Sequence, residues 1–441
     1  MPWGSIIPVL VLLACADSTT LVQRPAVARV EPAAPRPPLD PAIKRKTLDD
    51  LAQIIAEAYV FPDAAAKLAA RLRELAAHEG LWLADDAEAF AARVTKSMRT
   101  TVVDSHLELI VRPKAVAKPE AIRETTPESE ARVRERLRRR NFDIAGARYL
   151  RGTVGYLEIR SLPPAAWVGD TMHAALAFLG NADALIIDLR QNAGGAAETV
   201  AKLAGYFFDK PTHLLTSTHR RRGETKVYSA VPAGGSRLAN VDVYLLTSRQ
   251  TFSAAEAFAY SLQGHGRAVI VGEPSGGGAN AGDTYTLNDV FDAFVPDASG
   301  IHPATGRNWE AIGVAPDLAS SADRALVVAH AEALHRLAKR ATDPQRRREL
   351  EWAALAVGNR GSLPAVQLER FAGRYGTRRV WLADGVLRYQ NGTSPVHVLE
   401  PISDHAFMLA NSDTVQLIFE PSALVLRWSD GSEERHTRGG R

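Results

Sequence analysis

The sequence predicts an α/β protein with a mostly parallel sheet covered by helices. A small helical domain is expected before this core, and a small antiparallel β-domain after it. Three observations carry the prediction. Short apolar runs alternate with helical patterns in the middle of the chain, as in βαβ units. Apolar residues recur at helical spacing nearer the N-terminus, and short strands separated by turn residues fill residues 361–441.

The chain begins with a segment typical of exported proteins. Residues 6–14 form an apolar run that is too short to span a bilayer and fits a signal peptide. Cys15 follows, and Leu-Leu-Ala-Cys resembles a bacterial lipobox, so residues 1–15 are predicted to be a lipoprotein signal peptide with Cys15 lipidated. A plain secretory signal or a mis-called start is the alternative. Residues 16–42, rich in Pro and Ala, are expected to form a tether. We therefore expect a lipid-anchored or periplasmic protein of the bacterial cell envelope.

Charge and motif content exclude several functional classes. The 441 residues include 53 basic and 50 acidic side chains, for a formal net charge of +3, which gives no electrostatic case for a nucleic-acid partner. A single cysteine excludes an intramolecular disulfide. The sequence contains no metal-ligand spacing, phosphate-binding loop or dinucleotide fingerprint. No metal and no organic cofactor are therefore expected.

The length favours two or three domains, and changes of pattern suggest their limits. Residues 43–112 carry amphipathic helical patterns with a strand-like tail and are predicted to be the N-terminal helical domain. Residues 113–152 form a charged connector, rich in Glu and Arg. The α/β core is expected at 153–340, a helical connector at 341–360, and the β-rich C-terminal domain at 361–441.

Two loops in the core contain residues suited to chemistry. The pattern predicts strands at 155–160, 184–189, 241–246 and 267–271, of which the second, a nearly continuous apolar run, and the third are expected to be buried. The second of these strands leads into the adjacent glycines Gly194 and Gly195, and the third leads to Ser253 at the start of a helix. Because the carboxyl ends of parallel strands meet at one edge of a sheet, we expect the two loops to lie together.

The two loops allow a catalytic and a structural interpretation. Backbone N–H groups of Gly194 or Gly195, together with that of Ala254, would form an oxyanion hole if they face developing negative charge. The alternative is a tight turn that needs glycine. Ser253 would be the nucleophile, and its alternative role is that of a helix N-cap.

Several separated motifs resemble the C-terminal processing (tail-specific) serine peptidases. Those of the catalytic core lie at 188–195, 251–256 and 272–280. Residues 47–111, with Tyr-Val-Phe-Pro and Asp-Ser-His motifs, and residues 308–317 are similar to the interphotoreceptor retinoid-binding-protein-like branch. The resemblance covers residues 45–335. It implies a crotonase-like (ClpP/crotonase) core and a serine peptidase that acts on a peptide or protein substrate.

The resemblance also implies which residues assist the nucleophile. The processing peptidases use a Ser–Lys dyad, but Gly278 stands at the position that aligns with the lysine. The tricorn-like arrangement uses a Ser–His pair and a distant Glu, which match Ser105, His106 and Glu310. His106 would then be the general base and acid for Ser253, and Glu310 would orient it, in part through Ser105. A nearby Glu310 is expected to raise the pKa of the imidazole.

Alternatives remain at both the residue and the protein level. His106 is also compatible with a polar position at a strand start, and Glu310 with a surface acid. His302 and His265 lie in predicted loops near the motifs and are rival bases. A non-catalytic ligand-binding protein on the same scaffold is the alternative function, and a crotonase-type acyl-CoA enzyme is a third. The complete set of Ser253, His106 and Glu310 favours the enzyme.

Overall fold

The computed structural model describes residues 38–78, 85–112, 127–233, 237–358 and 363–439. The predicted signal peptide, Cys15 and most of the predicted tether lie outside these residues. Among the described residues, no helix combines the length and apolarity needed to cross a membrane.

Three helices open the described chain: α1 (Pro41–Ala58), α2 (Pro62–Ala77) and α3 (Ala87–Thr101). The side chains of Asp40 and Asp86 cap the first and third helices by accepting backbone N–H bonds of 2.8 Å each, and proline occupies the first turn of α2. The apolar faces of all three helices converge on one buried cluster.

The helical segment shares this core with a later part of the chain. Strand β1 (Glu108–Val111) pairs antiparallel with β10 (Phe291–Ile301). Phe291, Ala293 and Val295 of β10 belong to the same buried cluster as the helices. The turn between α3 and β1, which carries His106, is therefore held against the sheet by packing on both sides.

A six-stranded sheet forms the centre of the molecule. Its strands are β2 (Ile144–Leu150), β3 (Val154–Ile159), β4 (Ala184–Asp188), β7 (Asp242–Thr247), β8 (Ala268–Gly272) and β11 (Leu318–Ala319). The order is β11-β8-β7-β4-β3-β2, and every neighbouring pair is parallel except β2–β3. The carboxyl ends of β4, β7 and β8 are thus adjacent.

Helices cover both faces of this sheet, which explains the continuous apolar runs of its strands. On one face lie α5 (Ala165–Phe178), α6 (Ala197–Ala204) and α7 (Ala254–Gly264), packed on alternate strand residues such as Leu185 and Ile187. On the other face lie α8 (Ala322–Arg340) and α9 (Pro344–Gly358), packed on residues such as Ala184 and Ile186.

A second sheet of five strands borders the first and was not predicted from the sequence. It contains β1, β10, β5 (Thr212–His219), β6 (Glu224–Ala230) and β9 (Asn280–Thr286). The order is β1-β10-β5-β6, and β9 pairs with β10. Its strands are antiparallel, so the molecule combines a parallel and an antiparallel sheet.

The interval 113–152, predicted as a connector, contains more than its solvated helix. Helix α4 (Pro127–Arg138) buries none of its residues, as its charges suggest. Strand β2, however, lies at the edge of the central sheet and pairs with β3. Its exposed positions include Tyr149, and Arg148 stacks on the Tyr156 ring at 4.0 Å. An edge strand of this composition carries no apolar run, so the pattern did not predict it.

The C-terminal residues form an eight-stranded antiparallel sheet after the short α10 (Ala365–Leu368). Its strands follow one another in chain order: β12 (Gly373–Tyr375), β13 (Arg378–Ala383), β14 (Val386–Asn391), β15 (His397–Pro401), β16 (Ala406–Leu409), β17 (Val415–Glu420), β18 (Ala423–Trp428) and β19 (Glu433–Thr437). An antiparallel bridge between Tyr375 and Arg438 joins the two ends of the sheet. Phe371, Phe407 and Phe419 pack together in its buried cluster, so side chains fill this barrel.

Candidate active site

Ser253 lies in the turn between β7 and α7, immediately before the first helical residue, Ala254. Its φ is 53°, in the left-handed region that non-glycine residues rarely adopt. Such a conformation costs about 1–3 kcal/mol and persists only where the surroundings fix it. The strain therefore marks this turn as a place where side-chain direction matters.

Glu256 fixes the turn and was not singled out from the sequence. Its carboxylate is fully buried. Oε2 accepts the N–H bonds of Ser253 and Gly278 at 2.8 Å each, and Oε1 accepts the Ser275 hydroxyl at 2.5 Å and the N–H of Gly277 at 2.7 Å. Burial raises the pKa of this carboxyl, and the four donors oppose that shift. Glu256 thus ties the Ser253 turn to the loop after β8.

The glycine loop after β4 packs directly on the Ser253 turn. Gly194 and Gly195 have φ values of 106° and 146°. A Cβ atom on Gly195 would lie 2.0 Å from the carbonyl oxygen of Leu162, and one on Gly194 would lie 2.9 Å from the nitrogen of Ala254. Both positions therefore require glycine, for conformation and for close approach.

The backbone N–H groups of these loops differ in whether they already donate a hydrogen bond. The N–H of Gly194 donates to the Asn192 side chain at 2.8 Å, so it is engaged. Neither Gly195 nor Ala254 donates its N–H to another group in the described part of the chain. Of the three predicted oxyanion donors, Gly195 and Ala254 are the two with a free hydrogen.

His106 lies in the turn between α3 and β1, and its ring packs against the Ser253 turn. The imidazole centroid is 4.5 Å from that of Phe252 and 5.8 Å from that of Phe294. Its Nδ1 is buried and has no hydrogen-bond partner among the described residues. Burial lowers the pKa of His106, and the negative charge of Asp104 opposes that shift. The expected rise of this pKa is therefore wrong, because desolvation outweighs the charge of Asp104.

Glu310 approaches the same place from the loop between β10 and β11. Oε2 accepts the N–H bonds of Ala279 at 2.6 Å and Asn280 at 2.9 Å. Oε1 is buried and has no hydrogen-bond partner among the described residues. Burial, followed by the charge of Asp104, raises the pKa of Glu310 to about 7. This carboxyl therefore changes its charge near neutral pH.

Asp104 completes the cluster, although sequence reasoning missed it. It is buried, and its Oδ2 accepts the Tyr59 hydroxyl and the Asn280 amide at 3.0 Å each. Its Oδ1 accepts the N–H of His106 at 3.0 Å. One side-chain nitrogen or oxygen from each of Asp104, His106 and Glu310 lies within 4.8 Å of the other two. The trio can share a proton, and its donor types would also suit a divalent cation.

Gly278 stands where His106 and the Ser253 turn meet. A Cβ atom there would lie 2.2 Å from the Phe252 ring and 2.6 Å from Cε1 of His106. The space that a lysine side chain would need next to its backbone is therefore occupied by these two rings. Glycine at position 278 therefore leaves room for the His106 ring, with which a lysine at this position would collide.

The other sequence-predicted residues lie elsewhere. Ser105 is exposed in the turn before His106, and in the described part of the chain it makes no hydrogen bond to Glu310. His302 and His265 pack on each other with centroids 4.8 Å apart. The Nε2 of His265 bonds the carbonyl of His213 at 2.9 Å. The two rival bases thus form a cluster of their own.

A pocket of about 140 Å³ opens beside Ser253. Its walls include Gly195, Ala254, Ala257 and Trp309. The Trp309 indole donates to the carbonyl of Gly278 at 3.0 Å, which fixes that wall. Ser253, Gly195 and Ala254 therefore border one cavity.

Comparison with known proteins identifies part of the chain. Residues 153–320 match the model of peptidase family S41. A carboxyl-terminal-processing protease from Picosynechococcus sp. is 34% identical over 108 residues, which are 24% of this chain and 25% of that protein. The tail-specific protease of Haemophilus influenzae is 28% identical over 118 residues, which are 25% of this chain and 15% of that protein. The chain thus spans about a quarter or less of the length of these two relatives.

Solved structures give weaker similarities. A lipoprotein from Streptococcus agalactiae has a TM-score of 0.43 and 14% identity, covering 66% of this chain and 96% of that chain. The photosystem II D1 C-terminal processing protease has a TM-score of 0.39 and 16% identity, covering 64% of this chain and 94% of that chain. The family match includes Ser253 and Glu310 but ends short of His106 on the N-terminal side. Residues 153–320 of this chain are therefore similar to peptidase family S41.

Proposed function

We propose that this chain is a serine peptidase whose nucleophile is Ser253 and whose base is His106. The observation that carries the proposal is the His106 ring, which packs on the Ser253 turn and fills the space beside Gly278. A serine hydroxyl needs an adjacent base to attack a carbonyl. With glycine at position 278, imidazole is the group that this arrangement offers.

The reaction then follows the logic of a catalytic triad. His106 takes the Ser253 hydroxyl proton as Oγ bonds the acyl carbon, and the N–H groups of Gly195 and Ala254 bind the oxyanion. The imidazolium gives its proton to the leaving amine, and the C–N bond breaks. Water, deprotonated by His106, then hydrolyses the acyl-enzyme and restores the Ser253 hydroxyl.

Two carboxylates support the imidazolium in different ways. Glu310 offers its unpaired Oε1 to the base and so stabilises the positive charge that forms on it. Asp104 positions the His106 turn through its bond to the backbone N–H and adds negative charge. Asp104 therefore takes over the linking role that was predicted for Ser105.

The organisation of the chain is part of the proposal. We infer a crotonase-like core at residues 153–340, with the N-terminal helices supplying the base and the C-terminal barrel attached beyond α9. The barrel is held by Trp352 and Ala356 of α9 and by Arg151, which bonds Glu400 at 2.7 Å. A filled barrel docked in this way suits a covering role better than ligand binding.

Export and lipid attachment at Cys15 also remain proposals. They rest on the apolar run before Cys15, and they place the peptidase in the bacterial cell envelope, acting on peptides or proteins there. When the full chain is expressed in a bacterium, we expect it to fractionate with membranes and take up labelled fatty acid. Cys15→Ala should abolish both, and a soluble, unlabelled wild-type protein would contradict the anchor.

Fluorophosphonate labelling tests the catalytic assignment, since this probe forms a covalent bond only with an activated serine. We expect labelling of the wild type, none of Ser253→Ala, and a loss of several orders of magnitude in hydrolysis. Ser422→Ala, which changes an exposed serine of the barrel, is the matched control. Folding of each variant is checked by circular dichroism. Hydrolysis by Ser253→Ala within about tenfold of wild type would rule out this nucleophile, and an unlabelled, inactive wild type would favour a non-catalytic binder.

His106→Ala and Glu310→Gln separate the base from its partner. We expect the first change to remove most of the rate and the second to remove less, because it leaves the base in place. Changes at His302 or His265 should have little effect. A His106→Ala enzyme with wild-type activity would end the assignment of the base.

A further inference from the structure

The pocket beside Ser253 has walls of a consistent chemical type. Helices α6 and α7 contribute Ala197, Val200 and Ala257, and strand β5 contributes Leu214 and Leu215. Its polar members besides the nucleophile are Ser217, His219 and Tyr228. None of the described lining residues is Lys, Arg, Asp or Glu.

The position of the pocket decides which part of a substrate can enter it. An acyl carbon attacked by Ser253 has its oxygen toward the N–H groups of Gly195 and Ala254, and all three residues line the pocket. The side chain on the carbon next to that carbonyl is then the nearest substituent. Ala257, one helical turn beyond Ser253, lies further along the same wall.

The size and polarity of the pocket decide which side chain fits. Pockets for drug-sized ligands measure about 300–1,000 Å³, so a space of about 140 Å³ suits one side chain. A charged group would lose its hydration there without meeting an opposite charge on the walls. His219 does not change this, because its Nδ1 faces the buried Asp297 carboxylate at 3.4 Å.

We propose that this pocket selects an aliphatic residue of about the size of leucine on the acyl side of the scissile bond, with Ala257 and Leu215 setting the size limit. The proposal rests on the proposed function and names its substrate class. Ala257 presents only a methyl group to the pocket, so its size determines the free depth. Leu215 faces the pocket from β5 and limits the width.

A peptide series tests the selection. The peptides share one sequence and differ only in the acyl-side residue, which is Ala, Val, Leu, Phe, Lys or Glu. We expect kcat/KM for Leu to exceed that for Ala by about tenfold or more, and those for Lys and Glu by about 100-fold or more. A preference for Lys or Glu would overturn the proposal.

Two variants test the residues that set the size. Ala257→Leu should lower kcat/KM for the Leu peptide relative to that for the Ala peptide by about 10- to 200-fold. Leu215→Ala should instead raise kcat/KM for the Phe peptide relative to that for the Leu peptide by about tenfold. This second variant still tests the proposal if Ala257→Leu misfolds. Ala174→Leu, which adds the same atoms to the exposed face of α5, is the control and should change neither ratio.

The outcomes separate the two proposals. If Ala257→Leu and Leu215→Ala fold but leave the Leu/Ala and Phe/Leu ratios unchanged, the pocket is not the specificity site, while hydrolysis still supports the peptidase. If the wild type cleaves no peptide and fluorophosphonate does not label Ser253, the catalytic assignment itself fails, and the pocket proposal fails with it.

Discussion

The acid limb of the pH profile is predicted to belong to Glu310 and His106 together. The reactive form needs a neutral imidazole to accept the Ser253 proton and an ionised Glu310 to stabilise the imidazolium. Because the pKa of Glu310 is about 7 and that of His106 is lowered, the last proton leaves this pair near pH 7. The apparent pKa therefore describes the coupled pair and not either residue alone. We therefore expect kcat/KM to fall with an apparent pKa of about 7, and to drop about 100-fold by two pH units below it.

Asp104→Asn tests this explanation, since it removes a negative charge and keeps the size of the side chain. The side-chain atoms of the trio lie within 4.8 Å of one another, and two unit charges at that separation interact by about 3.5 kcal/mol at an effective dielectric constant of about 20. That energy corresponds to a pKa change of about 2.5, and screening by water reduces it. We expect the acid limb to move to lower pH by about one to two units, with a lower plateau because the bond to the His106 N–H is disturbed.

The assay is kcat/KM on one peptide or ester substrate from about pH 5 to pH 9 at constant ionic strength, with each variant compared with its own plateau. Asp289→Asn, an exposed carboxylate before β10, is the matched control and should leave the limb in place. The explanation is refuted if Asp104→Asn folds and is active but keeps the wild-type limb. A wild-type limb below about pH 5.5 would refute it as well.

Three further changes have expected outcomes. Gly195→Ala would place a methyl group 2.0 Å from the Leu162 oxygen, so we expect kcat to fall by about 100-fold or more in any folded protein; an unaffected rate would exclude Gly195 as a donor. Gly278→Lys should lower the melting temperature and abolish hydrolysis, whereas an active variant would mean that the lysine dyad can still form. Glu310→Gln should raise the melting temperature more at pH 8 than at pH 5. The raised pKa makes ionisation of Glu310 costly, and this cost begins above the ordinary pKa of about 4.5 and is complete above the folded-state pKa of about 7. Scanning calorimetry at both pH values measures this, and equal shifts would contradict it.

The parallel sheet could be predicted from sequence because its strands are buried on both faces. Ala184–Asp188 is buried at every position, and its first four residues form an unbroken apolar run. The second sheet gave no such pattern. Strand β5 mixes Leu214 and Leu215 with Ser217 and His219 along the pocket. Strand β10 contains Pro296 and Gly300, with a register shift after Pro296. Proline and glycine within a segment argue against a strand, so the sequence pattern did not predict β10.

The candidate site was accessible to sequence reasoning only in part. Motifs pointed to Ser253, His106 and Glu310, whose catalytic roles stay predictions. Asp104 and Glu256 lie inside the same motifs but were passed over, because their importance depends on partners distant in the chain. Asp104 meets Asn280 across 176 positions, and no local pattern reports such a contact. The signal that sequence reasoning could have followed was the presence of acidic residues inside these motifs.

The antiparallel pairing of β1 with β10 has a practical consequence for anyone who studies the family domain by itself. A recombinant fragment that begins at residue 153 would keep Ser253, the glycine loop and Glu310, but it would lack the turn that carries His106. Such a fragment would expose Phe291 and its neighbours, which the helices normally cover, and it would lack the proposed base. A fragment that showed no hydrolysis would therefore say nothing about the whole chain.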